Sequence, residues 1–245
     1  MHDLLIAHRG WQRRYPENTL LGIEQALLLG ARHIEIDIQL TADAVPVLCH
    51  DQTLERLSAS PLNINHCLYT DLAEHSAYEP QRLGDQFLGT PLSTLAECLT
   101  LLADYPETTL YIELKVESAK TFGADCIFEA IHPLIQHCAN PYAVISFSLE
   151  LLQLFQQRGG HRVVPVLSSW QQAFSEEVQI LNPPLIFCDI HLIPEDSTPA
   201  DLPYPSAFYE VDRPELAQQL LSEGAALIET FAIGEMLNAE STANT

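Results

Sequence analysis

The hydrophobic positions of this chain fall into two alternating patterns. Short apolar runs cover residues 3–8, 33–39, 109–115, 142–147, 162–167, 184–190, 205–211 and 226–230, and their lengths and flanking turn residues predict strands. Between them, residues 18–29, 93–104, 121–138, 148–158, 170–181 and 213–223 space apolar side chains at the 3.6-residue period of a helix. The first helical stretch begins at the Asn18-Thr19 pair and stops at Gly30, a residue type that ends helices. Regular strand–helix alternation predicts a parallel sheet. Eight such strands in 245 residues predict an α/β fold, the (β/α)8 TIM barrel.

Two stretches break the alternation. "HIEIDIQL", 33–40, is followed by Thr41-Ala42-Asp43-Ala44 and then by "VPVLCH". A parallel crossover needs roughly a dozen residues, so residues 45–50 are expected to return antiparallel, as a hairpin arm on the second strand. A turn centred between Ala42 and Asp43 sets His50 opposite Glu35. The stretch 51–91 shows no clear period, and is expected to form a small excursion within one barrel domain spanning residues 1–245. Residues 192–204, with Pro194, Pro199 and Pro203, are expected to replace a helix irregularly, and the polar tail after Leu237 to fray.

Composition narrows the class. Hydrophobic residues at 47 % and charged residues at 18 % suit a globular chain with ample core. No apolar run is long enough to cross a bilayer, and Met1-His2-Asp3 lacks the basic start of a signal peptide, so a cytoplasmic location is expected. Cys49, Cys67, Cys98, Cys126, Cys138 and Cys188 are scattered without a CxxC pair. They suggest free thiols rather than a zinc site. The net charge of −22 argues against nucleic acid and anionic membranes as partners. It also means that an anionic substrate needs a local cation to overcome the global field.

The chemistry gathers where strands end, the active face of such a barrel. The first strand delivers His8 and Arg9, the second Glu35 and Asp37, the arm His50 and Asp51, and the third Glu113 and Lys115. Glu35 and Asp37 are two apart and share a face, as do Glu113 and Lys115. Their neighbours Ile34, Ile36, Ile38, Ile112 and Leu114 are apolar and should face the helices. The charged set then points inward, where unpaired carboxylates are costly. A divalent cation held by Glu35, Asp37 and Glu113 resolves the repulsion, and oxygen-only ligands suit Mg2+ or Ca2+, or Mn2+, over zinc. The plainer reading is ion pairing, with Lys115 neutralising Glu113 and Arg9 neutralising Glu35. Four strand ends converging on one place favour a site, with His8 and His50 as its catalytic acid–base pair.

The motifs resemble those of the glycerophosphodiester phosphodiesterase family. They are His8-Arg9-Gly10, Pro16-Glu17-Asn18-Thr19, Glu35-Ile36-Asp37, His50-Asp51 and Glu113-Leu114-Lys115. "VISFSLELL", 144–152, resembles the family's Ser-Phe strand end. The resemblance covers nearly the whole chain, and is most specific in the first 115 residues. It implies metal-dependent hydrolysis of a small glycerophosphodiester to sn-glycerol 3-phosphate and an alcohol. His8 and His50 would share the acid and base roles, Arg9 and Lys115 would bind the phosphate, and Tyr209 would either line the alcohol pocket or pack in the core. Glu17 and Asn18 would support the site, with Glu17 near His8 or the metal. Two places depart from the family pattern. Tyr209-Glu210-Val211-Asp212 stands where Trp-Thr-Val-Asn is usual, and Glu229-Thr230 where Thr-Asp is usual. The alternatives are a related phosphodiesterase for lysophospholipids or other head groups, and a barrel that only binds a phosphoester.

Overall fold

Side-chain alternation along the strands decides which residues enter the barrel. The computed structural model describes residues 2–237, so the tail after Leu237 lies outside the described residues. Its strands are β1 (Leu5–His8), β2 (His33–Leu40), β3 (Pro46–Leu48), β4 (Thr109–Leu114), β5 (Tyr142–Ser146), β6 (Val163–Pro165), β7 (Ile186–Asp189), β8 (Ser206–Tyr209) and β9 (Leu227–Thr230). Eight of them run in the order β6-β5-β4-β2-β1-β9-β8-β7, with every neighbouring pair parallel. A bridge from Val166 to Phe187 brings the two ends together, giving a nearly closed TIM barrel.

One parity of each strand packs outward. Ile34, Ile36, Ile38 and Leu40 join Ile23, Ala26, Leu95 and Leu102 in the buried layer between sheet and helices. The other parity fills the barrel with Ile6, Tyr111, Ala143, Ile145, Val164, Val166, Phe187 and Ala207. Each fully buried large side chain in these layers contributes on the order of 1.5–3 kcal/mol. On β2 the inward parity is Glu35, Asp37 and Gln39, all buried, and the hydrophobic layers fix the register that holds them there.

The helices are α1 (Leu20–Leu28), α2 (Glu55–Ser58), α3 (Pro80–Leu83), α4 (Leu95–Leu102), α5 (Val116–Phe122), α6 (Ala124–Ile135), α7 (Leu149–Gly159), α8 (Glu176–Leu181) and α9 (Pro214–Ser222). The side chains of Thr19, Ser148 and Ser175 accept from the first-turn amides of α1, α7 and α8. Such caps are typically worth about 1 kcal/mol each. Thr94 and Glu97 form a reciprocal capping box on α4. The helix expected over 121–138 is found as α6, which ends at Ile135, and a separate helix, α5, precedes it from Val116, with Gly123 at φ +83° between the two. The helix expected from 170 opens as a 3-10 segment, Trp170–Phe174, and becomes α8 only after Ser175. Two 3-10 turns, Ile190–Leu192 and Pro199–Asp201, link β7 to β8 where a helix would otherwise lie.

The arm is antiparallel, as the short connection requires, but its register differs by one residue from the expected one. Ile38 pairs with Leu48 and Leu40 with Pro46, so the extrapolated partner of His50 is Ile36 rather than Glu35. Cys49 N makes the last rung, to Asp37 O at 3.0 Å, and beyond it Gln39 Nε2 donates to the His50 carbonyl at 3.1 Å. The residues after it form α2, α3 and two 3-10 segments, Ile64–His66 and Tyr69–Glu74. Leu54, Leu57, Ile64, Leu72 and Ala77 pack there with Val47 and Leu92 as a hydrophobic cluster separate from the barrel's own. All six cysteines are free thiols. Among the described residues, no helix is long and apolar enough to cross a membrane.

Candidate active site

The turn after β1 is built around a glycine. Arg9 N donates to Glu35 O at 3.0 Å, and so extends the β1–β2 ladder by one rung. Arg9 then adopts φ +56° and Gly10 φ +85°. A Cβ on Gly10 would come within 2.7–2.8 Å of the Gly22 carbonyl group, so only glycine lets this turn rest on α1. The turn swings the Arg9 guanidinium over the barrel mouth. Its Nε lies 2.8 Å from Asp37 Oδ2 and its Nη1 3.2 Å from Glu17 Oε1.

Asp37 is the most heavily compensated acid. Besides Arg9 it receives Lys115 Nζ at 3.1 Å and Asn18 Nδ2 at 2.8 Å, and its own amide donates to Asn18 Oδ1 at 3.1 Å. Burial works to raise its carboxyl, but Arg9 and Lys115 outweigh burial and hold it far below the usual carboxylate range. Lys115 also contacts Glu113 at 2.7 Å. Glu17 is buried and contacts Arg9 and Arg56 rather than His8. Arg56 grips both its oxygens, at 2.6 and 2.7 Å, and Gln12 Nε2 donates to it at 2.7 Å. The same Arg56 donates from Nε to Asp51 Oδ2 at 2.8 Å, and Asp51 Oδ1 lies 2.7 Å from His50 Nδ1. That bond and Arg56 pull the Asp51 carboxyl down.

Among the described residues, the Glu35 carboxylate receives only one hydrogen bond, from the Arg9 amide to Oε2 at 3.3 Å, and no guanidinium or ammonium pairs with it. Its ion-pair contact is His8 Nε2 at 3.8 Å, and Oε1 is buried without a hydrogen-bond partner. Burial, followed by Asp37, Glu229 and Glu113, pushes its carboxyl well above the ordinary range. Burial and then Asp37 also raise Glu113. Oxygens of Glu35, Asp37 and Glu113 lie within 4.8 Å of one another. An orphaned buried oxygen beside two more carboxylates fits a hard divalent cation, which would relieve the repulsion.

His8 sits on the other flank of Glu35. Its Nδ1 lies 2.9 Å from Glu210 Oε1, with the ring N–H not aligned on the oxygen. A cavity of about 110 Å³ is lined by His8, Arg9, Glu35, His50, Glu113, Lys115, Phe147, Tyr209, Glu210 and Glu229 among others. His8, Arg9, Glu35, His50, Glu113, Lys115 and Tyr209 thus share one chamber. Asp37 lies behind it, held by Asn18. Cys49 is buried, its thiol raised by burial, and its Sγ faces the Asp51 carbonyl at 3.4 Å. It is no candidate nucleophile.

Three further residues belong to the site: Glu210 and Glu229 line the chamber, and Arg56 holds Glu17 and Asp51 behind it. Arg56 comes from the aperiodic excursion, where nothing in the pattern marks it. Glu210 and Glu229 fall where the motifs depart from the family's. An acid directly after or within a barrel strand was their available signal.

The sequence matches the glycerophosphoryl diester phosphodiesterase family over residues 8–183. The chain belongs to that family. A glycerophosphodiester phosphodiesterase of Bacillus altitudinis is 31 % identical over 170 residues, 67 % of this chain and 66 % of the relative. Glycerophosphodiester phosphodiesterase 1 of Bos taurus is 28 % identical over 152 residues, 62 % of this chain and 45 % of its own length. A phosphodiesterase of Oleispira antarctica, solved with the product sn-glycerol-3-phosphate, superposes with a TM-score of 0.85 at 21 % identity, covering 97 % of this chain and 96 % of that one. The chain spans about half the length of several curated relatives in the family. The fold it shares with the solved structure extends over nearly all of it.

Proposed function

We propose that this chain hydrolyses glycerophosphodiesters to sn-glycerol 3-phosphate and an alcohol, with a divalent cation as cofactor. The observation that carries this reading is the meeting of two imidazoles, the cations Arg9 and Lys115 and the carboxylates Glu35 and Glu113 in one chamber, with Asp37 directly behind it. Phosphate binding alone would not require two acid–base groups. Glu35, Asp37 and Glu113 would hold Mg2+, Ca2+ or Mn2+, which supplies charge neutralisation at a phosphoryl oxygen.

The chain's own residues do the rest. Asp37 and Glu17 fix the Arg9 guanidinium, which meets the phosphate with its planar fork. Lys115, braced by Asp37 and Glu113, adds a point charge. His50 carries a carboxylate on Nδ1, and His8 has one beside Nδ1. In each ring Nε2 is then the nitrogen left to exchange a proton with substrate. One histidine takes the proton of the attacking hydroxyl and the other delivers a proton to the departing alkoxide. The glycerol hydroxyl next to the ester is the attacking group: its oxygen bonds to phosphorus, the bond to the alcohol breaks, and water opens the cyclic phosphate. Intramolecular attack gains from a nucleophile already in place. Tyr209 lines the chamber on the side of the leaving alcohol.

The deciding experiment is turnover of glycerophosphocholine with added divalent metal, reading release of sn-glycerol 3-phosphate. A deoxy analogue lacking the neighbouring hydroxyl should bind without turning over. Equal turnover of both would make water the direct nucleophile. Binding without any turnover across several head groups would leave a phosphoester-binding barrel.

A further inference from the structure

The oxygen triad accounts for Glu113 and Asp37, but not for Glu229. This acid sits on β9 with inward parity and is 3 % exposed. Its Oε1 is buried without a hydrogen-bond partner, and among the described residues no lysine or arginine pairs with it. Together with His8 and Glu35 it forms a second group whose ligand atoms lie within 4.8 Å of one another. Glu35, whose Oε1 is also buried without a hydrogen-bond partner, is shared between this group and the triad.

The donors here differ from those of the triad. Two carboxylates and an imidazole replace three carboxylates, and an imidazole favours zinc and its neighbours over Mg2+ or Ca2+. The ring is also turned the right way. Glu210 lies on the Nδ1 side, 2.9 Å away, so Nε2 is the nitrogen presented to Glu35. A metal-ligating histidine usually donates its far N–H to a carboxylate, and Glu210 stands near enough to Nδ1 to accept it once the N–H turns onto the oxygen. The Nε2 to Glu35 Oε2 distance of 3.8 Å is too long for a hydrogen bond. Two ligands at about 2.0–2.1 Å on a tetrahedral zinc stand about 3.4 Å apart, so the pair has to close by a few tenths of an ångström to share the ion.

We infer a second cation site, formed by His8, Glu35 and Glu229 and selective for zinc-class cations, whose occupation silences the enzyme. Coordination takes the Nε2 lone pair of His8, so that this nitrogen can no longer exchange a proton with substrate. Glu35 is common to both groups, so a zinc ion here also disturbs the oxygen triad. The site therefore separates cations that support turnover from those that stop it. The silencing rests on the proposed function, but the binding does not.

The test begins with metal-free protein titrated with zinc in competition with a chromogenic chelator. Wild type should hold a tight zinc that Glu229→Thr weakens by more than roughly 100-fold, beyond the 10–100-fold typical of losing an outer partner. Glu210→Gln should weaken it within that smaller range. Glu229→Gln, which keeps the side-chain volume, guards against misfolding. In 15N-labelled protein, zinc should shift His8 Nε2 and leave Nδ1 protonated. Where turnover is found, zinc at saturating Mg2+ should inhibit wild type at concentrations that spare Glu229→Thr. Equal zinc affinity in wild type and both Glu229 variants, or an unshifted His8, would overturn the site. Tight zinc at His8 in a protein with no turnover would refute only the functional reading.

Discussion

Removing the charge of Glu229 should flatten the pH dependence of folding in metal-free protein. Burial, with Glu210 and Glu113 adding to it against the opposing pull of His8, moves this carboxyl from 4.5 to about 7. A group with a raised folded pKa binds more protons folded than unfolded, so its contribution is complete below about pH 4.5 and is lost as pH rises through about 7. At about 1.4 kcal/mol per pKa unit, ionising Glu229 costs the fold about 3 kcal/mol by pH 8, and less than about 1 kcal/mol of that is already lost at pH 5. Glu35, Glu113 and His8 are also raised and act in the same direction. Wild type in chelator should therefore lose stability steadily from pH 5 to pH 8. Glu229→Gln should recover about 2–3 kcal/mol of that loss, or roughly 4–12 °C in Tm for a chain of this size. The assay is thermal or urea melting of both proteins across this range, with chelator throughout. Parallel pH curves for the two proteins would refute the reasoning, because they would mean that Glu229 is not forced to ionise against burial and its acidic neighbours.

Four further outcomes follow from the same geometry. A divalent cation should raise the melting temperature, by about 2.7 kcal/mol of stability at 100 times its Kd, and at equal cation concentration Glu113→Gln should shrink that gain in the same melt. His8→Ala and His50→Ala should each lower kcat by roughly 10²–10⁴-fold while leaving the circular dichroism unchanged, and the double variant should lose far less than the product of the two. Arg56→Ala strips two hydrogen bonds from buried Glu17 and one from Asp51, so urea melting should show a loss of about 3 kcal/mol, with a fall in kcat through His50. Gly10→Ala forces a Cβ against the α1 backbone at φ +85° and should cost roughly 2–5 kcal/mol, read in the same way.

The barrel was legible because its apolar runs carry period and length together. "HIEIDIQL" shows the alternation outright: every second residue is isoleucine or leucine, and the others are the half-buried His33 and the buried polar Glu35, Asp37 and Gln39. The charged strand ends were legible for the same reason, since a carboxylate inside an apolar run has to face something. The arm register was not. The turn holds five residues, with Thr41 Oγ1 bonded to Asp43 and to the Val45 amide, and with Ala44 at φ +60°. Alanine does not advertise a left-handed conformation, so a four-residue turn was the simpler reading. Glu210 and Glu229 stood out only as departures from the family pattern on the side of the mouth, because their contacts with His8 and Glu35 form when the barrel closes. Arg56 was missed outright, since its hold on Glu17 spans 39 residues and nothing in the pattern marks it. The split between α5 and α6 rests on one glycine whose neighbours all suit a helix.

The hydrophobic cluster under the excursion has a bearing on how activity is lost. Val47, Leu54, Leu57, Ile64 and Leu72 make up a small core of their own, while His8, Arg9, Glu35 and Glu113 are anchored in the barrel sheet. His50, Asp51 and Arg56 ride on the smaller body. Units of this kind open at free energies below that of global unfolding. Each opening carries one imidazole, its carboxylate and the guanidinium bound to Glu17 away from the other half of the chamber, with the barrel still intact. The working lifetime of the site is then set by this local equilibrium, and mild denaturant would extinguish turnover while the spectroscopic signature of the barrel stayed whole.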